Sequence, residues 1–250
     1  MTKKTLVLAL CLLLAALPAA AAPAWSDGKT TLAFFGQSAF TISRGDVVLV
    51  IDPYLTGNPL APIGPNDLSP SYILVTHAHQ DHLGDTVAIA KRTGAKVITT
   101  AEIARMLRDQ GCDVIPMSIG GKKKFDFGYV RVTPAVHGAG IAGGIAAGFI
   151  INFYGTTVYH AGDTSLFGDM ALLAQLEKID YALLPIGDNY TMGPDDAALA
   201  VGMLKPKTVV PMHYNANPLI MQSPETFKAA VEAKYGVPVR IMKPGDMLAI

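Results

Sequence analysis

Thr76-His77-Ala78-His79-Gln80-Asp81-His82 is the stretch on which the reading of this chain turns. It follows directly on the apolar run Tyr72-Ile73-Leu74-Val75, the pattern of a buried strand. An extended backbone points alternate side chains to the same side, so His77 and His79 can grip one ion together. Asp81 and His82, where the chain turns into a helix expected over residues 83–92, then face a second ion. Three further candidates follow β-rich runs: His137 after residues 129–136, Asp163 within Tyr159-His160-Ala161-Gly162-Asp163-Thr164, and His213 after residues 208–212. A site built from loops at strand ends accounts for all of them.

With these residues the chain resembles the metallo-β-lactamase superfamily, whose signature is a His-X-His-X-Asp-His run followed by His, Asp and His. The resemblance covers nearly all of the chain after residue 29. It looks nearest to bacterial metal-dependent hydrolases related to ascorbate-6-phosphate lactonase, through Ile51-Asp52-Pro53-Tyr54-Leu55-Thr56-Gly57-Asn58-Pro59, Ala161-Gly162-Asp163-Thr164 and Met192-Gly193-Pro194-Asp195-Asp196-Ala197-Ala198. The resemblance implies that His77, His79 and His137 hold one metal, that Asp81, His82 and His213 hold the other, and that Asp163 bridges them. It also implies an α/β fold, the four-layer αββα sandwich.

The donor types suit this chemistry. Neutral imidazoles and carboxylates bind borderline or hard divalent ions, so two divalent metal ions are expected, zinc first, with manganese and iron also suited. Two such ions share a water and lower its pKa to about 7, which makes hydroxide available as a nucleophile without any Ser or Cys. Asp81, a carboxylate beside that hydroxide, is the expected catalytic residue, orienting it or taking up a proton.

Other residues are expected near the site in supporting roles. His160, three residues before Asp163, reads as a partner to the ligands or a structural residue. Gln37 stands where the resembled group often carries histidine; an amide donates and accepts hydrogen bonds but does not shuttle protons near neutral pH. Asn189-Tyr190-Thr191 and Tyr214-Asn215 offer hydrogen-bonding groups near the loops that carry ligands. The glycine-rich residues 138–148 lack the Lys-Ser/Thr ending and strand-to-helix setting of a phosphate loop, and read instead as a wall or lid over the site.

The N-terminus reads as a separate unit. Lys3 and Lys4, an apolar run over residues 5–17, Pro18 and the alanines at 19–22 form a signal peptide pattern over residues 1–22, with cleavage after Ala21 or Ala22. The apolar run is too short for a comfortable membrane span. Cys11 has leucine before it, which argues against a lipoprotein anchor. Residues 23–250 then form one metallo-hydrolase domain, periplasmic or secreted, without a stable membrane anchor. After cleavage Cys112 stands alone, so no intramolecular disulfide forms.

The formal net charge is zero and only 16 % of residues are charged, so there is no electrostatic footprint for nucleic acid. The basic run Lys122-Lys123-Lys124 reads as the solvated start of a strand. Strands are expected over residues 31–35, 39–42, 47–51, 72–75, 96–99, 123–127, 129–136, 147–153, 157–160, 181–185, 208–212 and 239–242. Helices are expected over 83–92, 101–110, 166–177, 194–204 and 224–234. Ser223-Pro224-Glu225 and Gly193-Pro194-Asp195-Asp196 carry start signals, proline at the first helical position with acids behind it. The expected function is that of an exported metal-dependent hydrolase acting through a metal-bridging hydroxide on an ester, lactone, amide or phosphoester of a small-molecule substrate. The alternatives are a β-lactamase and a non-catalytic metal-binding module.

Overall fold

A computed structural model describes residues 28–250 of the chain; the expected signal peptide lies outside the described residues. Among the described residues thirteen strands form two sheets. The first holds β1 (Thr31–Phe34), β2 (Phe40–Arg44), β3 (Val47–Ile51), β4 (Tyr72–Leu74), β5 (Lys96–Thr100) and β6 (Val114–Met117), with β13 (Met247–Ala249) against β1. The second holds β7 (Lys122–Phe125), β8 (Gly128–Pro134), β9 (Ala147–Phe153), β10 (Thr156–His160), β11 (Tyr181–Pro185) and β12 (Thr208–Met212). The helices are α1 (Gln80–Leu83), α2 (Thr86–Thr93), α3 (Ala101–Asp109), α4 (Met170–Leu176), α5 (Pro194–Leu204) and α6 (Pro224–Tyr235).

The layers follow from the two-residue period of a strand. In the first sheet Leu32, Phe34, Leu49, Ile51, Leu74 and Ile98 pack inward with Val130, Val132, Phe149, Ile151 and Phe153 of the second sheet. Their sequence neighbours Ala33, Val50, Ile73 and Val97 turn the other way, onto Ile89 of α2 and Ile103 and Leu107 of α3. On the far side Met170 and Leu173 of α4, Val201 and Leu204 of α5, and Phe227 and Val231 of α6 belong to the larger core. The result is the αββα sandwich. Phe40, Phe149 and Phe153 are fully buried at its centre, and truncating such a side chain costs about 3–5 kcal/mol.

Strand direction places the site. β8 and β10 each run antiparallel to β9, and β10, β11 and β12 are parallel, so the C-terminal ends of β8, β10 and β12 lie at one end of the second sheet. β3, β4 and β5 are likewise parallel in the first.

Four elements differ from expectation. β6 was not expected; it accommodates Pro116 because it is at the edge of its sheet, where one backbone donor is dispensable. Residues 239–242 form no strand: Val239 makes a single bridge to Val209, and the chain instead closes the first sheet with β13. The helix expected over 83–92 breaks at Gly84 into α1 and α2, and the one expected from 166 begins only at Met170. Lys122, Lys123 and Lys124 lie on β7, at the edge of the second sheet, where charged side chains disfavour pairing with another edge.

Candidate metal centre

Seven side chains converge at the strand ends. His77 and His79 leave β4 in a loop rather than in the strand itself, yet His77 Nε2 and His79 Nδ1 still come within 2.9 Å. With His137, which follows β8, they form one group whose nitrogens all lie within 4.8 Å of one another. Asp81 and His82 on α1, Asp163 after β10 and His213 after β12 form a second group under the same limit. Asp163 lies between the two: its Oδ1 is 3.2 Å from His82 Nε2, and its Oδ2 is 3.1 Å from His213 Nε2, 3.6 Å from His137 Nε2 and 4.0 Å from His77 Nε2. Asp81 Oδ2 is 3.5 Å from His213 Nε2 and 3.7 Å from His82 Nε2.

A layer of fixed polar groups surrounds these atoms. Asp52, the residue after β3, is fully buried; its Oδ1 accepts the Thr76 N–H at 2.8 Å, and its Oδ2 accepts the Thr76 hydroxyl at 2.6 Å and faces His82 Nδ1 at 2.7 Å. A carboxylate here holds a His82 proton on Nδ1, so that Nε2, which faces Asp163, is the nitrogen an ion would take. His160 does not reach the two groups: its Nε2 is 3.0 Å from the Ser38 carbonyl, and its Nδ1 accepts the Gly162 N–H at 3.2 Å, so it braces the backbone before Asp163. Gly162 has φ of 64°, and a Cβ there would meet the Ala147 carbonyl at 2.5 Å and Thr76 Cβ at 3.1 Å, so only glycine lets the backbone just before Asp163 pass this close to them. Gln37 donates from Nε2 to Asp81 Oδ2 at 2.9 Å. Gln37, Asp52 and His213 all have left-handed backbones, with φ of 53°, 45° and 56°, the kind of strain that concentrates at functional sites.

Burial and charge pull the histidines apart. Burial, followed by the neighbouring His82, holds His77 down to about 3, and burial also lowers His137, so both are neutral and free to donate a lone pair. Burial likewise opposes charge on His213 and His82, but Asp163 and its companion carboxylates override it, raising His213 to about 9 and His82 well above its usual value. Burial raises the Asp163 carboxyl, yet His82 and His213 keep it well below the usual carboxylate range, and Asp81 is lowered by His213 and His82 in the same way.

A cavity of about 340 Å³ opens onto His79, Asp81, His137, Asp163 and His213, with Tyr190 as its remaining lining residue. Of the expected run 189–191, Asn189 is exposed and its N–H donates to the Asp188 carboxylate. Asp188 and Asn189 are both left-handed, and they bring the next side chain, Tyr190, to the cavity instead. Tyr214 does not line it; it packs against the core, where burial and then Glu225 push its hydroxyl up to about 12. Residues 138–148 pack on the ligands: Ala78 N–H donates to the Ala139 carbonyl at 2.8 Å, and a Cβ at Gly140 would meet His79 N at 2.6 Å.

The donor set fits divalent ions. His82 Nε2, His213 Nε2 and Asp163 Oδ1 are buried without a properly aligned hydrogen bond, an arrangement that is costly unless a cation is shared among them. The comparisons with known proteins agree. Residues 48–214 match the family model of the β-lactamase superfamily domain. A UPF0173 metal-dependent hydrolase of Symbiobacterium thermophilum is 53 % identical over 216 residues, covering 85 % of this chain and 96 % of the relative. One from Natranaerobius thermophilus is 50 % identical over 217 residues, covering 87 % and 98 %. The solved structure of Igni18, a metallo hydrolase of Ignicoccus hospitalis, superimposes with a TM-score of 0.84 at 40 % identity, over 89 % of this chain and 98 % of that one. With that fold, that ligand arrangement and those relatives, the chain belongs to the metallo-β-lactamase superfamily, among its metal-dependent hydrolases.

Proposed function

We propose that the protein is an exported hydrolase that holds two divalent ions, zinc first, and cleaves an ester, lactone, amide or phosphoester in a small-molecule substrate. The observation that carries this reading is the pair of ligand groups meeting at Asp163, whose two oxygens face different histidines. His77, His79 and His137 would hold one ion, Asp81, His82 and His213 the other, with Asp163 between. When bound, such ions acidify water and polarise a carbonyl or phosphoryl oxygen.

The chain's own residues supply the rest. Asp52 orients His82, and the buried setting of His77, His82 and Asp163 keeps bulk water from the floor of the cavity. Both Asp81 and Asp163 line the cavity, but the Asp81 side chain is 38 % exposed against 4 % for Asp163, and with Oδ2 engaged by Gln37 it is Asp81 Oδ1 that can accept a proton. Tyr190 offers a ring face and a hydroxyl to the substrate. Export is supported by residues 1–22, with their lysines, apolar run and alanine tail.

Elemental analysis and a hydrolysis screen across lactones, phosphodiesters, thioesters and β-lactams test the proposal together. The expected result is two metal equivalents per chain and a turnover that chelation removes and metal restores. One equivalent or fewer after reconstitution with zinc, manganese and iron, or no turnover on any class, would sink it. Mass spectrometry of the exported chain should show a new N-terminus at Ala22 or Pro23; an intact, membrane-held Met1 form would refute the export.

A further inference from the structure

We propose that Gln37 is a positioning residue that ties Asp81 and His213 into one unit and thereby sets how tightly the second ion position is filled; this rests on the two-ion reading above. Gln37 lies in the turn between β1 and β2 and reaches both residues by different means. Its side-chain Nε2 donates to Asp81 Oδ2 at 2.9 Å, the same oxygen that lies 3.5 Å from His213 Nε2. Its backbone carbonyl accepts the His213 N–H at 2.8 Å. One residue therefore holds a ligand side chain from α1 and the backbone of a ligand that follows β12.

The turn itself is rigid. Phe35 N–H donates to the Ala39 carbonyl at 2.8 Å, Ala39 N–H to the Gly36 carbonyl at 3.0 Å, and the Ser38 carbonyl meets His160 Nε2 at 3.0 Å. Within it Gln37 has φ of 53° and is 3 % exposed. A left-handed turn position is ordinarily met by glycine or asparagine, at less strain. Glutamine here also leaves its Oε1 buried without a partner. The carboxylate fixes which way the amide points, since the reverse orientation would set an acceptor against an acceptor. Two local costs are thus borne by a residue whose one side-chain hydrogen bond goes to Asp81.

Asp81 is the ligand that needs such a bond. Its side chain is 38 % exposed, whereas those of His82, Asp163 and His213 are 0 %, 4 % and 3 % exposed. Packing holds the other three in place, but a carboxylate at the cavity mouth has solvent-facing rotamers open to it. The Gln37 amide keeps one oxygen turned toward His82 and His213. Mere packing in the turn would make Gln37 matter to folding and leave the two ion positions equally affected.

Three variants separate these roles: Gln37→Met keeps the length and removes the donor, Gln37→Gly removes the side chain while relaxing the backbone and keeping the His213 contact, and Gln37→His restores a donor. Each metal-stripped protein is titrated calorimetrically with zinc, and the d–d absorption of the cobalt form is recorded, alongside a thermal melt. The expected result is a first binding step like the parent's in all three. The second step should weaken roughly 10 to 100-fold in Gln37→Met and Gln37→Gly, the usual effect of removing an outer partner of a ligand, and should recover in Gln37→His. Equal weakening of both steps, a parent-like second step in Gln37→Gly, or no recovery in Gln37→His would each overturn the proposal. Should Gln37→Met fail to fold, Gln37→Gly carries the comparison alone. A parent protein that binds a single equivalent would instead refute the two-ion reading and is seen before any variant is made.

Discussion

His82 Nδ1 lies 2.7 Å from Asp52 Oδ2, and neither side chain has any exposed surface. Asp52 comes from the end of β3 and His82 from α1, so this contact joins the helix that carries two candidate ligands to the first sheet. Burial alone would raise the Asp52 carboxyl; the facing His82 keeps it below its ordinary value, and the ion pair stays charged on the acid side.

Asp52→Asn should reverse the His82 ring's proton assignment. Thr76 N–H must still meet an oxygen at the Oδ1 position, which puts the new amide NH₂ opposite His82 Nδ1. The ring would then carry its proton on Nε2, the atom that faces Asp163. Metal affinity at that position is expected to fall about 10 to 100-fold with the fold retained, read by calorimetric titration and circular dichroism. Unchanged affinity would show that Asp52 does not set the tautomer.

Asp52 also shows where sequence reading stopped. The run at 76–82 was legible because four donor side chains within a few positions have no common packing explanation, and the structure does gather them. His137, Asp163 and His213 are scattered, and only the resemblance tied them to that run. Asp52 was visible only as part of the stretch 51–59 that carries the resemblance and had no role of its own, because its partners Thr76 and His82 are 24 and 30 residues away and no local pattern encodes a contact across strands. The apolar runs at 31–35 and 47–51 made the strands readable but not their faces, because both sides of the first sheet are buried and every residue of Leu32-Ala33-Phe34 or Leu49-Val50-Ile51 is apolar. Within the run 189–191 it is Tyr190, not Asn189, that lines the cavity, since two consecutive left-handed residues redirect the chain in a way composition does not announce.

His160 and His213 should separate cleanly on substitution. His160→Ala leaves the Ser38 carbonyl and the Gly162 N–H without their buried partner, so a stability loss of about 1–3 kcal/mol is expected with both metal equivalents retained. His213→Ala should lose the second equivalent and turnover with it. Metal content, rate and thermal melting measured on the same samples decide this, and two retained equivalents in His213→Ala would reverse the assignment.

Proton release should accompany metal loading. In the metal-free chain His213 titrates near 9, above its ordinary 6.5, because Asp163 and Asp81 outweigh its burial. A raised folded-state pKa stabilises the fold fully below about pH 6.5 and loses that contribution as pH climbs through about 9. An ion must displace the same protons, so its apparent affinity should rise with pH over that window and level off above it. Calorimetry in two buffers of different ionisation enthalpy should find protons released at pH 7 and few at pH 10; equal heats in both buffers at pH 7 would contradict this.

Far from the cavity, Glu177 at the end of α4 gathers the second sheet's edge. Its carboxylate takes Lys122 Nζ at 2.9 Å, the Tyr129 hydroxyl at 2.5 Å and Arg131 Nε at 3.2 Å, and Lys122 lies 3.5 Å from the centre of the Tyr129 ring. Burial pushes the Glu177 carboxyl up, but Lys122, Tyr129 and Arg131 together hold it below 4.5; burial and then Glu177 push Tyr129 up to about 12. A lowered folded-state pKa gives a contribution present above about pH 4.5 and lost as pH falls through the folded value. Glu177→Gln keeps the shape and removes the charge, so about 1–3 kcal/mol should be lost at pH 7, equivalent to a fall in melting temperature of several degrees. The deficit should shrink toward pH 3, where the parent's carboxylate is being protonated as well. Melts of parent and variant across pH 3–8 test this, and a difference that stays constant over the range would mean that Glu177 contributes through packing rather than charge.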